Sequence, residues 1–75
     1  MVKVKTNFYS LTITINNLTH LKININQLYG YQSWVDRENK CIIQYYCKNG
    51  NIKCEYQDMK LWKDILKKLE GVEFN

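Results

Sequence analysis

The sequence predicts an α+β fold, an antiparallel β-meander of about five strands covered on one face by a C-terminal α-helix. Three observations predict it. Asn49-Gly50 sits between two alternating runs, the pattern of a tight β-hairpin. Residues 9–15 and 21–26 alternate apolar and polar side chains with the period of a strand. Leu61, Trp62, Ile65, Leu66 and Leu69 fall within one arc of a helical wheel. A chain of 75 residues has material for one modest core, so residues 1–75 are read as a single domain.

Residues 2–15 read as a long first strand, in which Tyr9, Leu11, Ile13 and Ile15 alternate with Ser10, Thr12 and Thr14. Asn16-Asn17 is a turn signal. A second strand covers residues 19–27. A three-residue loop over 16–18 sets Ile13 opposite Leu21 and Leu11 opposite Ile23. A strict two-residue turn would set Ile13 opposite His20 and mix the faces, so the longer loop is preferred. Leu18, Leu21, Ile25, Leu28 and Tyr29 also fit a helical face. Ile23, Asn24, Ile25 and Asn26 are mediocre helix formers, which favours the strand.

Residues 29–35 form the third strand, and a polar connection follows from Asp36. A four-residue connection turns Trp34 to the core beside Cys41. A five-residue connection turns Tyr31, Ser33 and Val35 inward and leaves Trp34 outside, next to Ile42. The second arrangement buries more apolar side chains.

The hairpin strands cover residues 41–48 and 51–57. A type I′ turn at Asn49-Gly50 pairs Cys47 with Ile52, Tyr45 with Cys54 and Ile43 with Tyr56 on an apolar side. The reverse side then carries Gln44 opposite Glu55, Tyr46 opposite Lys53 and Lys48 opposite Asn51.

The helix covers residues 59–70. Asp58 is its N-cap, and Lys67 and Lys68 suit the negative end of the helix dipole. Gly71 reads as the residue that ends it, with Val72 folding back on the last turn. Trp62, Ile43, Tyr45, Ile52 and Cys54 are expected to meet in the core.

Composition narrows the chemistry. The formal net charge is +4, which favours acidic partners and disfavours a nucleic-acid mimic. Arg37 is the only arginine, so bidentate recognition of phosphates or bases has little to draw on. Residues 1–5 begin no secretion signal, and no run of apolar residues is long enough to span a bilayer, so a cytoplasmic setting without membrane contact is expected. Asn, Ile, Lys and Tyr have AT-rich codons, which points to a low-GC bacterium, its phages or its mobile elements.

Cys41, Cys47 and Cys54 are an odd set with no C-x-x-C spacing. They read as reduced, buried small side chains, neither a disulfide framework nor a zinc site. His20 is the only histidine, and no pattern joins it to a nucleophile. Gly30, Gly50 and Gly71 stand apart and form no phosphate loop. No cofactor, metal site or catalytic residue is expected. The basic, amphipathic helix is needed to close the domain's own core.

What remains is a binding surface. Trp34, Ile42, Tyr46, Lys48 and Lys53 are the candidate contact residues on the open side of the sheet. Aromatic centres with a charged rim are typical of protein interfaces. The expectation is therefore a small, non-catalytic binding protein of a phage or mobile element. Its partner would be a host protein or a protein–nucleic-acid complex, and the effect inhibition of a host enzyme or defence complex. The alternative is a basic, low-specificity nucleic-acid binder that stacks bases on Tyr46 and holds phosphates with Lys48 and Lys53. A homodimer joined through an open sheet edge is a third possibility.

Overall fold

The computed structural model describes residues 1–73. Six antiparallel strands form two three-stranded sheets. The first contains β1 (Val2–Thr6), β2 (Ser10–Ile15) and β3 (Leu18–Asn24) in that order. The second contains β4 (Leu28–Val35), β5 (Cys41–Cys47) and β6 (Ile52–Tyr56). One helix, α1 (Met59–Leu69), follows. The α+β class is as the sequence predicts; the single five-stranded meander is not.

The first departure lies at residues 7–10. The Asn7 side-chain carbonyl accepts hydrogen bonds from the backbone N–H groups of Tyr9 and Ser10 at 2.7 and 2.8 Å. That Asx turn folds the long first strand into a hairpin, with Val4 opposite Ile13 and Thr6 opposite Leu11. Tyr9 leaves the strand pattern and stands at the hairpin tip.

The second departure lies between Asn24 and Leu28. The Asn24 side chain accepts from the Asn26 N–H, and the Gln27 N–H donates to the Asn24 carbonyl. The chain turns there, and β4 pairs with β5 and not with β3. One helix of 11 residues is small cover for a single wide sheet. Folding one sheet over the other buries two apolar faces at once. Val2, Leu11, Ile13 and Ile23 of the first sheet share a core with Leu28, Ile43, Tyr45 and Tyr56 of the second. Ile65 and Leu69 complete it from α1, which lies against β1, β5 and β6 and closes the open side. Trp62, Ile52 and Cys54 are half-buried at its margin.

Register between β2 and β3 holds as the sequence predicts, with Ile13 opposite Leu21 and Leu11 opposite Ile23. The means differ. Asn16 and Asn17 form a two-residue turn, both with positive φ (51° and 67°). A bulge at His20 then restores the apolar face. Between β4 and β5 the five-residue connection is found, with Val35 opposite Cys41 and Trp34 opposite Ile42.

The β5–β6 register is shifted by two residues from the expected one. Tyr45 faces Ile52, Ile43 faces Cys54, and Cys41 faces Tyr56. Lys48 and Asn49 occupy the turn, closed by a Gly50 N–H bond to the Cys47 carbonyl, and Gly50 follows at φ +132°. The Asn51 side chain accepts from the Cys47 N–H. A type I′ turn would need positive φ at Asn49, which is not among the residues that have it. Because the shift is even, every side chain keeps its face.

Asp58 caps α1 as predicted, accepting from the N–H groups of Lys60 and Leu61. Gly71 does not adopt positive φ. The helix ends by tightening, with Gly71 and Val72 donating to the carbonyls of Lys68 and Leu69.

Candidate functional site

The outer face of the second sheet brings most of the expected contact residues together. Along β4 it presents Gln32 and Trp34, along β5 Ile42, Gln44 and Tyr46, and along β6 Lys53 and Glu55. Lys48 stands exposed in the adjoining turn. Neither Tyr46 nor Lys53 is sealed inside.

These side chains are organised by contacts with one another. The Tyr46 hydroxyl donates to Gln32 Oε1 at 2.6 Å. Tyr29 and Tyr46 stack with ring centroids 6.2 Å apart. The Lys53 ammonium lies 5.9 Å from the centre of the Trp34 ring, at the reach of a cation–π contact. Lys40 approaches Glu55 at 3.9 Å and Glu38 at 3.1 Å. The result is an aromatic shelf, Tyr29–Tyr46 at one end and Trp34 at the other, with amides between.

Ile42 is placed differently from the other four. It is 1% exposed and stands apart from the main core, with Trp34 and Glu55 as its cross-strand partners. So buried, it offers a partner no surface of its own. Its backbone carbonyl accepts from the Trp62 indole N–H at 3.0 Å, so α1 is anchored through the same residue. Lys53 faces Gln44, not Tyr46, a consequence of the shifted turn.

Tyr29 is the shelf residue that sequence reasoning missed. It is 50% exposed and sits in a bulge between Leu28 and Gly30, which turns its ring toward Tyr46. A glycine inside a strand pattern is a bulge signal, and Gly30 was that signal.

A second cluster joins the two sheets. His20 Nε2 lies 2.7 Å from the Tyr56 hydroxyl. The Tyr45 hydroxyl is sealed and, among the described residues, meets no partner at hydrogen-bond geometry, although Tyr56 and Cys54 lie close enough to act on its ionisation. Burial first, then the neighbouring Cys54, pushes the Tyr45 phenol up. Burial first, then Tyr45, pushes Tyr56 up, and burial pushes the Cys54 and Cys47 thiols up. Such groups hold their protons and are poor nucleophiles at neutral pH. All three cysteines are free.

A cleft of about 560 Å³ lies between the β1–β2 tip and the segment after α1, lined by residues including Phe8, Ile25, Val72 and Glu73. Among the described residues no three His, Cys, Asp or Glu side chains come together as metal ligands, and no helix is long and apolar enough to cross a membrane. No family model, no curated protein and no solved structure matches the chain.

Proposed function

We propose that this chain is a small, non-catalytic binding protein that acts by occupying a surface on another protein. The observation that carries the reading is the shelf of Tyr29, Tyr46 and Trp34, edged by Lys53 and Lys48, on the face of the second sheet turned away from the core. The Tyr46 ring is held by Gln32 and stacked on Tyr29, and Lys53 sits by Trp34, before any partner arrives. Rings fixed in place lose little conformational freedom on binding, which is what makes aromatic anchors effective. Glu55 lies on this face, which favours a protein over a nucleic acid as its occupant.

The partner is a host protein or a protein–nucleic-acid complex, and the setting is the cytoplasm of a cell carrying a phage or mobile element. Inhibition of a host enzyme or defence complex follows from occupying such a surface. Tagged chain recovered from host lysate should carry one dominant protein in stoichiometric amount. Tyr29→Ala with Lys53→Glu should lose it while thermal stability stays within a few degrees. Equal recovery by that variant would sink the reading, and a chain that captures only itself would point to the homodimer.

A further inference from the structure

The opposite side of the molecule has another character. In the first sheet, Lys5, Thr12 and Lys22 form one row across the three strands, and Lys3, Thr14 and Thr19 form the next. All three lysines are exposed. No carboxylate precedes Asp36 in the chain, so all seven acidic residues come after this sheet. The ion pairs among the described residues are made by Lys40 and Lys68, and none engages Lys3, Lys5 or Lys22.

A depression of about 190 Å³ opens on this face, lined by Lys3, Lys5, Thr12, Thr14 and Asn17. Two ammonium groups, two hydroxyls and an amide make a donor set suited to a phosphate group. Past Lys5 the hairpin ends in Phe8 and Tyr9, which are 91% and 78% exposed. The fold has no use for two adjacent bare aromatic rings at a polar turn.

We infer that this face binds single-stranded nucleic acid. The lysines hold the phosphates, and Phe8 and Tyr9, at the tip of the same β1–β2 hairpin, stack on unpaired bases. Charge selects a polyanion, and the aromatic tip selects one with free base faces, which a duplex hides. The depression between Lys3 and Lys5 has no carboxylate among its lining residues to repel a phosphate. This surface does not overlap the aromatic shelf, so the two sites are independent.

The test is fluorescence anisotropy of a labelled single-stranded 20-mer and of the matching duplex with the full chain. The single strand should bind more tightly. With three phosphates neutralised, its affinity should fall about 20-fold between 50 and 200 mM salt. Lys3→Gln, Lys5→Gln and Lys22→Gln together should abolish binding and its salt dependence. Phe8→Ser with Tyr9→Ser should weaken the single strand about fivefold or more and leave the duplex unchanged. Far-UV circular dichroism of each variant establishes that the fold is retained. No binding at 50 mM salt, duplex preferred, either folded variant binding as the parent does, or binding confined to anionic lipid vesicles would each overturn the inference.

Discussion

His20 Nε2 and the Tyr56 hydroxyl meet at 2.7 Å, a hydrogen bond that ties β3 of one sheet to β6 of the other. The rings also touch, with centroids 5.4 Å apart. The contact exists because of the bulge at His20, the same irregularity that keeps Leu21 and Ile23 on the apolar face. Loss of either partner should therefore loosen the two sheets. His20→Ala and Tyr56→Phe should each lower stability by about 1 kcal/mol, and the double variant should cost less than the sum. Urea denaturation of the four proteins measures this, and strict additivity would show that the bond contributes nothing.

Tyr45 is the contrasting case. Its ring fills the core, but among the described residues its buried hydroxyl meets no partner at hydrogen-bond geometry. A buried polar group in that position costs free energy, so Tyr45→Phe should leave stability unchanged or raise it by about 1 kcal/mol. The comparison with Tyr56→Phe in the same denaturant series separates a satisfied phenol from an unsatisfied one.

The buried acids make the fold sensitive to alkali. Tyr31, Tyr45, Tyr56, Cys47 and Cys54 all have their ionisation pushed upward, chiefly by burial. Each therefore favours its neutral form in the fold. Above the ordinary values of 9.0 for the thiols and 10.0 for the phenols, the unfolded chain releases protons that the folded chain keeps. Stability from these groups is whole below pH 9 and falls as pH rises beyond it. Denaturation midpoints taken from pH 6 to 11 should fall over the upper part of that range, and Tyr45→Phe should fall less steeply above pH 10.

Much of this architecture was legible because strand period and cap chemistry are local. Alternation at Leu11, Ile13 and Leu21 gave the inner face, and Asp58 gave the start of α1. The division into two sheets was not legible. Asn7 and Asn24 act through side-chain bonds to backbone N–H groups two or three residues on, and asparagine is common enough in this chain that neither stood out. The choice of β5 over β3 as the partner of β4 depends on how much apolar face the helix can cover, a property of the assembled molecule. For the contact surface, an even shift in register kept Tyr46 and Lys53 outward while changing their neighbours. The lysine face was written in the sequence as the stretch without carboxylates before Asp36, which net charge alone conceals.

The turn between β5 and β6 makes a separate prediction. Asn49-Gly50 is the strongest hairpin signal in the sequence, yet Asn49 takes an ordinary φ and only Gly50 takes a positive one, +132°. No atom lies within 4 Å of where a Gly50 Cβ would sit, so the obstacle to a side chain is the backbone conformation alone. Gly50→Ala should cost about 1–2 kcal/mol. Asn49→Ala should be nearly neutral, as it would not be in a turn that needs Asn49 at positive φ. Thermal melts of the two variants distinguish the turns.

Trp34 tests how far the aromatic shelf is also structure. Trp34 lies directly across the strand from Ile42, which is 1% exposed, and its ring centre is 5.9 Å from the Lys53 ammonium. Truncation would uncover Ile42 and leave its side chain to water, so Trp34→Ala should lower stability by about 2 kcal/mol even though Trp34 lies on an outer face. Trp34→Phe should recover about half of that loss, because a smaller ring still covers part of Ile42. Tyr29→Ala, by contrast, removes a half-exposed ring at a bulge and should cost well under 1 kcal/mol. If Trp34→Ala melts like the parent, Ile42 is shielded by other atoms, and Trp34 is as free as Tyr29 to serve a partner alone.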